Sequence, residues 1–265
     1  MSRLTVVTNG NYFAARILAD LFDTRPASIA GIVVVDGDYT GRTGMRAWRS
    51  VARSACFPYV MGKSVHLVSA RLAAGGRRSA SVSGLAGGHS IPTVHVDHVS
   101  DPRFLEHVRA WKTDLLVSVS CPQRLPEASF TEPRLGGVNI HSSLLPSYAG
   151  LAPYYWILAG GEEETGISVH YLTSEFDEGR ILGQRRLMVR RGESALGLFA
   201  RLAYAGSGLL REAIAAAEAS DPGTEQDLSV RSYHSQPDWA SYRALRRNGH
   251  RVVSARDLAD VWANG

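Results

Sequence analysis

Cysteine is nearly missing from this 265-residue chain: only Cys56 and Cys121 occur, at no disulfide-framework or metal-ligand spacing. A small disulfide-stapled module is thereby excluded, and a reducing cytoplasmic compartment is expected. No apolar run reaches the roughly 18 residues that a spanning helix needs. MSRLTVVTNG begins in a strand pattern, which leaves no room for a signal peptide. Acidic residues are missing between Asp38 and Asp97, where Arg42, Arg46, Arg49, Arg53, Lys63, Arg71, Arg77 and Arg78 all lie. The net charge is only +4, yet such a one-signed block attracts phosphates, lipid head groups or an acidic partner. The first turn, TNGNYF, lacks the Gly-x-Gly-x-x-Gly of close pyrophosphate approach, which weighs against a dinucleotide-dependent oxidoreductase. HVDH (His95, Asp97, His98) is the nearest approach to a metal cluster, and no metal is expected.

What is present has an alternating texture. LTVVT runs through Asn9-Gly10 into a helical pattern of Phe13, Ile17, Leu18 and Leu21. IAGIVVVD, IPTVHV, DLLVSVS and GGVNIH are further short apolar runs, with FLEHVRAW helical among them. Short buried strands alternating with helices predict an α/β, Rossmann-like, mostly parallel doubly wound sheet. Beyond residue 150, PYYWILAG reads as a short helix, ISVHYL and ILGQRRLMV as an antiparallel pair, and SALGLFARLAYAGSGLLREAIAAAEA as a long helix weakened by Gly206 and Gly208. The expected division is a catalytic domain over 1–190, then the long helix and a short C-terminal extension over 191–265, with no separate barrel domain. The Gly/Ser-rich stretch 72–90 reads as a mobile surface loop, or more sharply as a substrate lid.

VNIHSSLLPSYAG carries the chemistry. Residues two apart on a strand share a face, so Asn139 and His141 project together from the carboxyl end of a strand, the edge where open α/β sheets bind ligands. The alternative is a buried polar pair satisfied by backbone. In FDEGR, Asp177 is either an ordinary turn residue or a partner of His141.

Together, VNIHSSLLPSYAG, Pro153, Trp156, ETGISVHYL and FDEGRIL resemble the folate-dependent formyltransferase family, whose methionyl-tRNA, glycinamide ribonucleotide and sugar N-formyltransferases share Asn-x-His, a Ser-Leu-Leu-Pro loop and a downstream Asp before x-Gly. The resemblance covers roughly residues 1–190 and is sharpest over about 114–184; Ser142 and Ala149 depart from the usual residues. It implies transfer of the formyl group of 10-formyltetrahydrofolate to an amine, with Asn139 and His141 donating to a tetrahedral oxyanion and Asp177 orienting and charging His141. It also implies pterin walls at Gln123, Arg124 and Leu125 and at Leu172, Thr173 and Ser174, with a solvated charge as the plainer reading of Arg124.

The tRNA-acting relatives carry a C-terminal β-barrel, and the roughly 45 residues after the long helix are too few and too helical in pattern for one. The expected acceptor is therefore a small-molecule amine, an amino-sugar nucleotide or a natural-product intermediate, with no nucleic-acid partner. A catalytically idle folate- or anion-binding relative is the alternative. Gly10, Asn11, Arg42, Arg46 and Arg49 are candidate acceptor contacts. In residues 42–60, Met45, Trp48, Val51, Ala52, Ala55 and Tyr59 fall on one helical face beside an arginine stripe. Three readings stay open for it: a core-packed helix with a solvated cationic face, a holder of acceptor phosphates, or a contact with a membrane surface or carrier protein. The tail arginines Arg243, Arg246, Arg247 and Arg251 read as solvated. A homodimer is compatible with all of this.

Overall fold

A computed structural model describes residues 1–74 and 81–264. Strands β1 (Leu4–Thr8), β2 (Ile29–Val35), β3 (Thr93–Val96), β4 (Leu115–Val119) and β5 (Gly137–His141) are joined mainly by helices α1 (Tyr12–Thr24), α2 (Gly44–Ser54), α3 (Phe57–Ala74), α4 (Val82–Gly88), α5 (Pro102–Ala110) and α6 (Ala128–Thr131). After them come β6 (Ala149–Gly150), α7 (Pro153–Gly160), β7 (Glu164–Tyr171), β8 (Ile181–Met188), α8 (Ala195–Glu218), β9 (Tyr233–His234), α9 (Trp239–Arg247) and α10 (Ala255–Asn264). The main sheet has seven strands in the order β3-β2-β1-β4-β5-β7-β8. Its first five are parallel neighbours, and β7 and β8 join antiparallel. This is the expected α/β, mostly parallel sheet.

Strand alternation divides the core in two. Leu4 and Val6 of β1 and Leu115, Val117 and Val119 of β4 face the larger cluster, built with α1, α7 and α8. Val7 and Leu116 face a smaller one with Phe104 and Val108 of α5 and Phe130 of α6. Side-chain caps start the helices where the sequence supplies them: Asn11 Oδ1 accepts from Ala14 N–H at 2.8 Å, and Asp101 precedes Pro102. The long helix α8 is unbroken at Gly206. A Cβ there would come within 2.6 Å of Ile167 and 2.9 Å of Ile140, so the glycine lets the helix lie close on β5 and β7.

Two sequence expectations are corrected. The stretch 42–60 is not one helix, because the Cys56 N–H donates to Pro237 O at 2.7 Å and Pro58 stands in the first turn of a new helix. Met45 and Trp48, which the core-packed reading would bury, are 69% and 51% exposed, while Tyr59 is buried on α3. The stretch 72–90 is likewise not one loop. It holds the end of α3 and all of α4, where Ser81 Oγ accepts from Gly84 N–H at 3.1 Å and Val82 and Ala86 are buried against α1. Few large apolar residues suggested a loop, but one cap and two apolar positions four apart suffice for a helix of this length. Residues 75–80, including Arg77 and Arg78, lie outside the described residues.

At the carboxyl edge of the sheet, one side chain ties three connections together. Gln123 Oε1 accepts from Val99 N–H at 2.9 Å, and its Nε2 donates to Asp38 O at 2.9 Å and Asp97 O at 3.0 Å. Gly37 leaves room for this strap, since a Cβ there would sit 2.1 Å from Asp97 O and 2.9 Å from Gln123 Nε2. Replacing the amide with an isosteric hydrocarbon orphans three backbone groups. Gln123→Leu is therefore expected to lower unfolding free energy by about 2–4 kcal/mol, read from urea denaturation midpoints at constant m-value.

Candidate active site

The end of β5 places Asn139 and His141 on one face, and the antiparallel register sets His170 of β7 opposite Asn139. Asn139 Nδ2 donates to His170 Nε2 at 3.1 Å, and His170 Nδ1 donates to Tyr171 O at 2.8 Å, which assigns His170 as the Nδ1–H tautomer. His141 Nε2 donates to Tyr148 O at 2.9 Å. Its other nitrogen, Nδ1, lies 3.5 Å from Asp177 Oδ1, and His170 Nε2 lies 3.6 Å from the same oxygen. Asp177 Oδ2 accepts from Gly150 N–H at 2.8 Å. Asn139, His141 and Asp177, expected together from two distant segments, are thus one cluster.

Burial raises the Asp177 pKa, but the neighbouring His141 and His170 and the Gly150 N–H outweigh it. The net result is a carboxyl held well below the usual carboxylate range, hence an anion at neutral pH. Asp177 adopts the left-handed backbone at φ 59°, a conformation aspartate tolerates better than most residues. Two neighbours fix that turn. Gln226 Nε2 donates to Asp177 O at 2.9 Å and Gly179 O at 2.7 Å, and a Cβ on Gly179 would lie 1.7 Å from Tyr171 O. The glycine of FDEGR is therefore a steric requirement of the turn.

The cluster lies at one side of a cavity of about 500 Å³. Gln123, Arg124, Leu125, Leu172, Thr173 and Ser174 all line it. The Gln123 side chain, however, is spent on the strap described above. The Arg124 side chain is 56% exposed, yet its guanidinium also donates to Ser174 O, stands 3.6 Å from Glu175 and lies over the Phe176 ring. The backbone N–H groups of Arg124, Leu125 and Thr173 have no partner among the described residues. Burial pushes the Cys121 thiol up to about 12, so this lining cysteine is a neutral thiol and no nucleophile.

Of the candidate acceptor contacts, Asn11 lines the cavity, whereas Gly10, Arg42, Arg46 and Arg49 are not among its lining residues. Arg42 donates to Ser50 Oγ at 3.2 Å, and Arg46 and Arg49 are exposed on α2. Sequence reasoning missed His170, Tyr59, Lys63 and the tail residues Tyr233 and Gln236, all of which line the cavity. His170 had a signal: ISVHYL alternates, so Ser168 and His170 share a face opposite Ile167 and Val169. The tail had none. There β9 pairs with β6, Leu151 N–H donates to His234 O at 2.8 Å, and Trp156 Nε1 donates to Ser235 O at 2.9 Å. Gly150, at φ 93°, permits the contact, because a Cβ would stand 2.4 Å from His234 O.

Residues 61–214 match a family model described as Formyl transferase. The methionyl-tRNA formyltransferase of Chlorobium chlorochromatii is 39% identical over 144 residues, which is 54% of this chain and 46% of that protein. That of Azobacteroides pseudotrichonymphae is 39% identical over 122 residues, 46% of this chain and 37% of that protein. The chain thus spans less than half the length of these curated relatives. Among solved structures, glycinamide ribonucleotide transformylase 1 from Symbiobacterium toebii superposes with a TM-score of 0.60 at 19% identity, over 85% of this chain and 94% of that one. An N-formyltransferase from Helicobacter canadensis, solved with folinic acid and dTDP-3-aminofucose, gives 0.58 at 14% identity over 91% and 72%. At these identities the two structures show a shared fold.

A carboxyl whose pKa is depressed on folding contributes stability above its unfolded value, about 3.9, and loses it as pH falls toward the folded value. The stability gap between the native protein and Asp177→Asn is therefore expected to be largest above about pH 5 and to shrink steadily toward about pH 2. Denaturant titrations of both proteins across that range measure it, and a gap that widens on acidification contradicts the assigned direction.

Proposed function

We propose that this chain, which belongs to the formyl transferase family over residues 61–214, is an N-formyltransferase that moves the formyl group of 10-formyltetrahydrofolate to a primary amine of a small metabolite. The observation that carries this reading is the 3.5 Å approach of His141 to the buried Asp177 carboxylate beside Asn139. A flat donor fits the cavity by its construction: unspent backbone N–H groups at Arg124, Leu125 and Thr173 can meet a heterocycle's acceptors, and Leu125, Phe130, Ile140 and Leu172 supply apolar walls. When bound, such a donor supplies a formyl carbon whose oxygen gathers negative charge as an amine adds.

The residues answer that charge movement. One N–H of Asn139 Nδ2 is spent on His170, and the second is free to face the formyl oxygen without any change of protonation. An incoming amine must lose a proton, and His141 Nδ1 and the Asp177 carboxylate form the pair that receives it. With its Nε2–H held by Tyr148 O, His141 takes the extra proton at Nδ1, where Asp177 stabilises the resulting cation. That cation offsets negative charge nearby, and the same proton would pass on to the departing donor nitrogen as the formyl carbon's bond to it breaks. No metal is needed in this reading.

Asn11, Tyr59, Lys63 and Gln236 are the proposed acceptor contacts, a polar group at the same cavity. The Helicobacter canadensis neighbour, solved with an amino-sugar nucleotide, supports an acceptor of that size. A second reading, transfer to the amino group of methionyl-tRNA, is favoured by the sequence relatives.

Incubating the purified chain with 10-formyltetrahydrofolate and a panel of amino-sugar nucleotides, glycinamide ribonucleotide and methionyl-tRNA tests both readings, and formylation of a small amine alone is the expected result. His141→Ala and Asp177→Asn are each expected to lower kcat/KM by about 10²–10⁴-fold with native circular dichroism, and Asn139→Ala by about 10²–10³-fold. Near-normal turnover in the folded variants refutes the roles assigned to these residues.

A further inference from the structure

A second cavity, of about 340 Å³, adjoins the first through neighbours in the chain. Asn11, Lys63 and Phe199 line the candidate active site, whereas Tyr12, His66 and Ala200 line this one. Four arginines face it, Arg190, Arg191, Arg201 and Arg256, against two carboxylates, Glu193 and Asp257. Both carboxylates are already spent. Glu193 accepts from Arg201 at 2.8 Å and from the Arg190 backbone N–H at 2.9 Å; Asp257 accepts from Ser194 Oγ at 2.6 Å and Ser254 N–H at 2.7 Å. By contrast, the guanidinium groups of Arg190, Arg191 and Arg256 make no hydrogen bond or ion pair among the described residues.

His66 gives the independent sign that something binds. It is only 5% exposed, stacked on Phe13 at 5.0 Å and edge-on to Tyr12 at 5.8 Å, yet neither ring nitrogen has a hydrogen-bond partner among the described residues. The ring nitrogens are not among the fully buried unpartnered atoms, so they stay open to a molecule in the cavity that His66 lines. The positive end of α8 adds to the field, although its first N–H groups are capped by Arg251 O, Val252 O and Ser194 Oγ.

We infer that this cavity is a binding site for a phosphate group on a small molecule, held by Arg190, Arg191 and Arg256 with His66 as the buried contact. Phosphate is favoured over carboxylate because three separate planar donor forks suit a group with three oxygens and a charge near −2. A cavity of this size suits a small ligand. The aromatic stack His66–Phe13–Phe199–Tyr154, with centroids 5.0, 4.0 and 4.3 Å apart, links the site to the wall of the first cavity. The phosphate belongs either to the amine acceptor or to a free effector.

Calorimetric titration of the full chain with inorganic pyrophosphate and with inorganic phosphate tests the assignment. One pyrophosphate per chain is expected to bind. Combined Arg190→Glu, Arg191→Glu and Arg256→Glu should weaken it at least about 30-fold, and His66→Gln by about 5–10-fold. Arg46→Glu with Arg49→Glu, the same sign change on α2, should leave the affinity within about twofold, which separates a site from general charge. Competition between pyrophosphate and the amine in the formylation assay assigns the phosphate to the acceptor, and binding without competition assigns it to an effector. Absence of binding up to about 10 mM, or equal binding by the triple variant, overturns the site. The titration reads binding and not turnover, so its failure leaves the formyl-transfer reading standing, and a failure of turnover leaves this one.

Discussion

A carboxylate removed from water must be repaid in charge and hydrogen bonds by its surroundings, and Asp177 is such a group. Two imidazoles stand within 3.6 Å of one of its oxygens and an amide N–H donates to the other. Meeting that demand draws in the end of β5, the short strand β6, the end of β7 and, through Gln226, the segment after α8. Apart from His170, which lies just before the turn, these contacts come from segments far off in sequence. The active-site geometry and the tertiary assembly of this region are consequently one constraint.

The same economy of backbone partners shapes the carboxyl edge of the sheet. Parallel strands leave their connections side by side there, and Gln123 joins three of them while its own backbone faces the cavity. The C-terminal segment closes the opposite side. β9 lies on β6, Trp156 and Tyr148 both stack on His234, and Asn248 Nδ2 donates to Leu158 O and Ala159 O at the end of α7. A stretch that reads as a polar tail is thereby part of the wall around the chemistry.

Charge in this molecule acts by position more than by total. The arginines of α2 form the most visible basic block in the sequence, yet Arg46 and Arg49 face solvent, where water screens them. Arg190, Arg191 and Arg256 are unremarkable in sequence and exposed too, but they line one cavity together with His66. Several like charges around one concave site attract an anion more strongly than the same charges spread over a helix face.

Local sequence determined the strands, most helices and the pairing of Asn139 with His141, because strand periodicity and caps are properties of neighbouring residues. The motif resemblance carried Asp177 as well. It did not carry His170 as Asp177's second imidazole, nor the strap role of Gln123, nor the break at Cys56, whose N–H turns to Pro237 O far along the chain. Composition misjudged residues 82–88, since burial of Val82 and Ala86 depends on a partner helix that composition does not describe. Tertiary structure alone decided which buried polar atoms meet, because a hydrogen bond between segments tens of residues apart depends on how the layers pack and leaves no periodic trace in the sequence.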